Sequence, residues 1–286
     1  MRLLVTGASS SLAVAVMRRL LEQSDADIWC IRHVNEIPLS DSRLHTIELD
    51  LESNFTRDLE GLSFDKVIHF AAVTHSFDER RYWKLNLDAT KRLAQVVYEN
   101  GCRDFVYIST RCAIEGAGAY GESKLAAERE LQKLDWSSLL IIRPAEVYGS
   151  NGNEGIDRML AIANKWRIVP ALFGNSNLRF SPLHLDDFSR IVANLIMSER
   201  EGVSIEHLCG PEDLTGMTLA RRISRHCSAV PLPMWWPLVA VSLKTLQKFG
   251  LSELKPDQLK RLVARKTGTA GSNRTNSEGL RRFLLE

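Results

Sequence analysis

The 286-residue chain predicts a doubly wound α/β fold: a parallel sheet followed by a smaller C-terminal region. Three observations predict it. Short apolar runs alternate with helix-period segments through residues 1–150. Those runs are rich in Ile, Val, Leu and Phe on both faces, as strands buried under helices on either side require. The first run turns into a helix through Thr6-Gly7, the strand–turn–helix unit that opens nucleotide-binding sheets. With 44% apolar and 25% charged residues, the composition excludes a disordered chain. Lys and Arg number 37 against 35 Asp and Glu, a net charge of +2. That balance excludes nucleic-acid binding through a broad basic surface and leaves room for a basic pocket.

The elements follow in order. Strands are expected at 3–5, 28–31, 44–49, 67–70, 105–108 and 139–142. Between them, Leu12, Val16 and Leu20 recur at helical spacing, as do Leu85, Ala89 and Leu93, with Val96 and Val97 continuing that face. The second of these helices should stop at Asn100-Gly101. After Gly149 the pattern loosens: a loop at 150–153, a helix over 156–164, strands at 181–185 and 205–209, then mainly helices broken by prolines from Gly216 onward. The division expected is a dinucleotide-binding domain at 1–150, with 181–209 adding strands to it, and a mainly substrate-binding region at 151–286.

Five scattered cysteines without a CxxC pair read as buried reduced thiols, neither a disulfide framework nor a zinc site, and no metal is expected. No signal-peptide pattern precedes the first strand, so the expected location is cytoplasmic. The apolar window 230–243, with Pro231, Pro233, Pro237 and Trp235-Trp236, is too short and proline-rich to cross a bilayer. It suits a lid or interface, and leaves peripheral membrane contact open.

The turn after the first strand, Gly7, Ser9, Ser10, Ser11 and Leu12, presents helix N-terminal N–H groups to a pyrophosphate. Only Gly7 remains of the usual glycine fingerprint; Ser10 and Ala13 occupy the later positions. The second strand ends in Arg32-His33. Where an acidic residue would bind a ribose hydroxyl, Arg32 offers a guanidinium suited to a 2′-phosphate, which predicts NADP, with NAD as the alternative. Asp50 and Leu51, after the third strand, suit the adenine.

Tyr120 and Lys124, at i and i+4, share one helix face after the fifth strand. An ammonium beside a phenol stabilises the phenolate and equips it for acid–base work.

These segments together resemble the extended short-chain dehydrogenase/reductase family, in particular its nucleotide-sugar epimerases, dehydratases and reductases. Thr6-Gly7 resembles the start of its glycine motif. Val67 through Ala72 resembles its fourth strand, whose last residues (Phe70, Ala71, Ala72) pass under the cofactor. Asn86 matches an asparagine in the following helix, and Tyr107-Ile108-Ser109-Thr110 the fifth strand. Tyr120 and Lys124 match YxxxK, residues 142–149 the RPxxVYG segment (Pro144, Glu146 and Val147 included), and residues 182–187 a late strand entering a helix. Lys255-Pro256-Asp257-Gln258-Leu259 and Arg261-Leu262 resemble a short segment near the family's C-terminus.

The resemblance implies that Tyr120 is the acid/base at a sugar hydroxyl. Lys124 would bind the nicotinamide ribose and lower the Tyr120 pKa, with hydride moving between sugar and nicotinamide. It implies cofactor contacts from Ser109 and Asn86 and substrate contacts from Glu146 and Arg179; His75, in the loop after the fourth strand, could face substrate. It also implies a homodimer through helices 85–100 and 120–134. Two departures stand out. Arg111 occupies the usual Ser/Thr position, with Thr110 its neighbour; Arg111 could hold a substrate oxygen but cannot relay a proton. Only three residues separate Gly116 from Tyr120, which predicts an open site. His69 reads as a core histidine and Arg143 as structural.

The expected function is an NAD(P)-dependent 4-epimerase or 4-keto reductase of a nucleotide-diphosphate sugar. A catalytically weak dinucleotide-binding scaffold or assembly protein, motivated by Ser10 and Arg111, is one alternative. A reductase of a lipid or other non-sugar ketone, motivated by the proline–tryptophan window, is another.

Overall fold

A computed structural model of the chain describes residues 1–150, 152, 155–248, 256–268 and 280–284. Asn151 and Asn153 of the expected loop and Lys255 of the C-terminal segment lie outside the described residues. β1 (Arg2–Thr6) leads into α1 (Ser11–Gln23), then β2 (Asp27–Arg32), β3 (Leu44–Glu48), the short α2 (Thr56–Leu59) and β4 (Lys66–His69). A π-helix, Tyr82–Ala89, runs directly into α3 (Thr90–Glu99). β5 (Asp104–Ile108), α4 (Ala119–Leu131) and β6 (Ser138–Pro144) follow. Beyond them come β7 (Val147–Tyr148), α5 (Gly155–Trp166), β8 (Ile168–Phe173), β9 (Arg179–Phe180), β10 (Leu183–His184), α6 (Leu185–Met197) and β11 (Gly202–Leu208). The C-terminal elements are β12 (Leu214–Thr215), α7 (Gly216–Cys227), β13 (Val230–Trp235), α8 (Trp236–Lys248) and α9 (Pro256–Val263).

Seven strands form one parallel sheet in the order β11-β6-β5-β4-β1-β2-β3. Alternate residues of each strand feed two cores. Leu3, Val5, Ile68, Val106 and Leu140 pack with α1 and α6. Leu4, Val67, Phe105, Tyr107, Leu139 and Ile141 pack with α3 and α4. Burial on both faces is why these strands read as continuous apolar runs. Truncating a fully buried member such as Leu4 should cost about 2–5 kcal/mol.

Four local expectations are revised. The late strand at 181–185 shrinks to β10, which pairs with β7 and not with the main sheet. Pro182 lacks an N–H, and His184 already caps α6 by accepting the Asp186 N–H at 3.2 Å. β11 starts three residues before the expected 205. The helix expected from Leu85 begins as π winding and becomes α only at Thr90, which places Asn86 inside, fully buried. Last, 230–235 is a strand despite its prolines. β13 lies parallel to β8, and the Val230 N–H donates to Arg167 O. Pro231 and Pro233 fall in the opposite phase, where the missing N–H faces away from the partner.

Candidate functional site

The strand order reverses between β1 and β4, and the crevice at the C-terminal ends of these strands is where such sheets hold a ligand. Gly7 forms its floor. With φ at +64°, a Cβ there would lie 2.7 Å from Ala71 N, so only glycine lets the first turn sit on the chain leaving β4. Thr6 joins the two strands, its Oγ1 accepting the Ala71 N–H at 3.2 Å and lying 2.6 Å from His69 Nδ1. His69 Nε2 lies 2.8 Å from Thr90 Oγ1. Burial pushes the imidazole down to about 3, so it stays neutral, as a core histidine.

Ser10 ends the turn as the N-cap of α1, its Oγ accepting the Ala13 N–H at 3.3 Å. The hydroxyl at this later glycine position therefore serves the helix. Ser11 and Leu12 begin α1, and their first-turn N–H groups have no acceptor within the helix. Ser9 lies in the same turn.

At the end of β2, the Arg32 guanidinium pairs with Glu36 at 2.7 Å and with Glu48 on β3. His33 lies 4.0 Å from Asp50 Oδ2, and Leu51 is buried beneath. Phe70 is buried and Ala71 and Ala72 are half-buried where the chain leaves β4. Asn86 is a strut. Its Oδ1 accepts the Val73 N–H at 2.8 Å, and its Nδ2 donates to Val73 O at 3.1 Å and Ser123 Oγ at 3.2 Å. Its side chain thereby ties the loop after β4 to the helix carrying Tyr120.

Tyr120 stands in the first turn of α4. Its ring meets Tyr82 edge-on, with centroids 6.2 Å apart, and the Arg261 guanidinium of α9 lies 4.5 Å from its centroid. Arg261 also donates to Thr74 O at 2.9 Å, and Asp257 Oδ1 accepts the Tyr120 N–H at 3.0 Å. The site is thus less open than the short 117–119 loop predicts. Gly118 has no side chain, and α9 fills that space: a Cβ there would lie 2.4 Å from Asp257 Oδ1.

Lys124, one turn on, is fully buried. Its ammonium donates to Ile108 O at 2.7 Å and lies 4.0 Å from the Tyr107 ring centroid. Burial lowers it to about 7, against the opposing pull of Glu128. Glu128 is held by Arg143, whose Nε donates to it at 3.0 Å, and by the Ser109 hydroxyl. That confirms Arg143 as structural and commits Ser109 to a protein partner.

Arg111 also turns inward. Its side chain donates to Glu146 at 2.7 Å, Arg179 O at 2.8 Å and Ser181 Oγ at 3.2 Å. Lys266 donates to the same Glu146 oxygen at 3.2 Å and to Arg179 O at 3.1 Å. Burial opposes ionisation of Glu146, but Lys266 and Arg111 outweigh it and hold the carboxyl at about 2. The cluster carries two cations and one anion. The Arg179 guanidinium, expected on a substrate diphosphate, is instead bound by Asp213 at 2.7 Å. Thr110 Oγ1 accepts the Cys112 N–H at 3.2 Å, and His75 Nδ1 lies 3.0 Å from Thr74 Oγ1. Pro144 is buried and Val147 packs at the edge of the first core.

Asp257, Arg261, Lys266 and Thr267 had no site role in the sequence. Asp257 and Arg261 lie in the segment similar to the family's C-terminus, which marked the stretch without the contacts; nothing local marked Lys266 or Thr267.

Among solved structures, the chain is similar to DesIV, a dTDP-glucose 4,6-dehydratase from Streptomyces venezuelae solved with NAD and TYD. The TM-score is 0.71 at 20% identity, over 82% of this chain and 84% of that one. The UDP-glucuronic acid 4-epimerase of Bacillus cereus, solved with its sugar nucleotide and NAD, gives 0.69 at 19% identity over 82% and 86%. WbmG of Bordetella bronchiseptica, solved with NAD, gives 0.69 at 18% over 92% of each chain. No protein of curated function matches by sequence. The profile of the NAD dependent epimerase/dehydratase family matches residues 3–208, most of the chain and every strand of its sheet from Leu3 to Leu208, and the protein belongs to that family.

Proposed function

We propose that the protein is a 4-epimerase or 4-keto reductase of a nucleotide-diphosphate sugar, with Tyr120 moving the proton at the sugar hydroxyl. One observation carries this reading. The Tyr120 ring carries the Arg261 guanidinium on its face, one helical turn from Lys124 on the same helix. The Arg261 charge favours the phenolate, the form of Tyr120 that accepts a proton.

A nicotinamide dinucleotide fits the residues present. Gly7 seats the β1–α1 turn against the chain leaving β4, and the first turn of α1 offers N–H donors to a pyrophosphate. When bound, the dinucleotide supplies the hydride acceptor and donor. The chain's own residues do the rest. Gly7 and α1 hold the phosphates, the Asn86 strut fixes the loop at 70–76, and Tyr120 exchanges the proton. Lys124 would have to leave the Ile108 carbonyl to reach a ribose. Arg32, the residue behind the NADP expectation, is already shared by two carboxylates; a 2′-phosphate would add negative charge beside Glu36 and Glu48. That supports NAD, which the DesIV, B. cereus and WbmG structures hold. Residues 1–150 with β11 would carry the dinucleotide and 151–286 most of the sugar nucleotide. The excess cation at Arg111 and Lys266 suits its diphosphate. The protein would act as a homodimer through the helices carrying Asn86 and Tyr120, which light scattering measures.

The test is incubation with UDP- and dTDP-sugars and with keto-sugar nucleotides, each with NAD(H) or NADP(H), the products identified by NMR. Turnover in wild type that Tyr120→Phe leaves intact would sink the mechanism. A second reading has its own observation. The Arg111 side chain, at the usual hydroxyl position, is committed to Glu146 and Ser181 and supplies no proton relay. Tight NADH binding without turnover of any sugar nucleotide would favour a binding module of the same fold.

A further inference from the structure

The near-zero charge of the chain conceals a sharp asymmetry. Residues 158–185 and 214–248 contain nine Lys and Arg and not one Asp or Glu. The rest of the chain then holds 28 basic and 35 acidic residues, a net negative body. The two acid-free stretches fold together. They supply the β8–β13 ribbon, α7 behind it and α8 leading off it. Two of the nine cations are neutralised from outside, Arg179 by Asp213 and Arg222 by Glu212. Among the described residues, Lys165, Arg167, Arg221 and Arg225 are exposed and form no ion pair.

The side of the ribbon that faces away from α7, next to Lys165 and Arg167, is apolar where a surface should be polar. Ile168 and Val230 are paired in register and both exposed, and Leu232 continues the row on β13. Trp166 stands 64% exposed at the start of the ribbon, with the Lys165 ammonium 5.2 Å from its ring centroid. Trp235 ends the ribbon, also exposed. α8 then turns Trp236, Val239, Ala240 and Leu243 toward the α9 core, yet shows Leu238 and Val241 to the outside at 63% and 64% exposure. A helix apolar on both faces is covered on both, by protein or by lipid. α8 has 13 residues, and no helix among the described residues is long and apolar enough to cross a membrane.

Indole rings, branched aliphatics and unpaired cations without acids form the pattern of a segment lying in a bilayer interface. We propose that the β8–β13–α8 face docks on an anionic lipid surface. Leu238, Val241, Leu232 and Trp166 would enter the headgroup–acyl boundary, and Lys165 and Arg167 would meet lipid phosphates. The docking does not depend on the sugar-nucleotide reading, since none of these residues lies in the crevice.

The experiment is co-sedimentation of the full chain with vesicles of phosphatidylcholine alone and of an equimolar phosphatidylcholine–phosphatidylglycerol mixture. Three proteins are compared: wild type, Leu238→Ser/Val241→Ser, and Lys165→Glu/Arg167→Glu. Wild type should pellet with the anionic vesicles and much less with the neutral ones. The charge variant should bind at least about tenfold more weakly, at about fivefold per basic residue lost. The apolar variant should lose binding even at low salt. Unchanged circular dichroism would show that both variants fold. Absence of wild type from the anionic pellet overturns the proposal, as does pelleting that neither variant weakens. So does a wild-type dimer that Leu238→Ser/Val241→Ser converts to monomer, which would give the face to a second copy of the chain.

Discussion

The sheet half and the C-terminal region satisfy their buried polar groups in different ways. Within the sheet, the buried polar groups around the crevice find partners on the same strands or the segments that cover them: His69 with Thr6 and Thr90, Glu128 with Ser109 and Arg143, Asn86 with Val73 and Ser123. The C-terminal region reaches across the molecule instead. Lys266 pairs with Glu146, Thr267 with the Arg111 carbonyl, Arg261 with Thr74, and Asp257 with the start of α4. The sheet therefore holds the dinucleotide crevice by itself. The setting of Tyr120 is borrowed from residues more than a hundred positions away. Changes in the sheet should act on chemistry or global stability, and changes in the C-terminal ties on stability and on how the site is tuned.

The largest contrast tests the reacting group. Tyr120→Phe should lower kcat by about a hundredfold or more, while NADH affinity, read by fluorescence titration, stays near wild type. A parallel loss of NADH binding would mean that Tyr120 shapes the crevice and would blur the division between halves.

Next is the tie itself. Glu146→Gln leaves Arg111 and Lys266 buried beside a neutral amide, which should cost about 3–5 kcal/mol in urea unfolding. The pH dependence has a definite sign. The folded carboxyl is held at about 2, below the ordinary Glu value of about 4.3. Its contribution is complete above the ordinary value and is lost as pH falls toward 2. Stability of the variant should therefore fall less steeply than wild type over that window.

The parts of this architecture that sequence made legible follow from short-range patterns. Strands β1, β4, β5 and β6 show as apolar runs because both faces of each are buried. Tyr120 and Lys124 show as a pair because helical spacing puts them on one face. The ribbon strand β13 stays hidden, since Pro231 and Pro233 argue against a strand until their phase relative to β8 is known. The π winding that buries Asn86 leaves no trace in the i, i+4 pattern of Leu85, Ala89 and Leu93. Arg111, Arg179 and Arg32 read as ligand-facing cations. Each has instead a carboxylate partner, 35, 34 and 16 positions away respectively, that no local pattern announces.

A smaller effect should separate tuning from chemistry. Arg261 acts on Tyr120 through the ring face, with Asp257 on the same helix opposing it and Tyr82 packed edge-on. Removing the cation in Arg261→Gln disfavours the phenolate. The ascending limb of the pH–kcat profile should move to higher pH, and kcat at neutral pH should fall about tenfold, an effect of about one pKa unit. Arg261→Lys should restore most of it. A titration of Tyr120 by ultraviolet difference spectra, referenced to Tyr120→Phe, reads the same shift without substrate.

The smallest expected change concerns Arg32. If its guanidinium served a 2′-phosphate, Arg32→Gln would weaken NADP(H) binding by the worth of a charge-assisted contact, about 1.5–3 kcal/mol or roughly tenfold and more. In the structure that guanidinium is satisfied by Glu36 and Glu48, both more exposed than Arg32 itself, so the triad is a surface ion pair worth little. NADH and NADPH affinities should both shift by less than about twofold, and unfolding free energy by less than about 1 kcal/mol. A selective tenfold loss of NADPH would show that Arg32 abandons its carboxylates for the phosphate. The end of β2 would then join the C-terminal ties as a place where the resting contacts are exchanged on binding, and the sheet half could no longer be described as complete in itself.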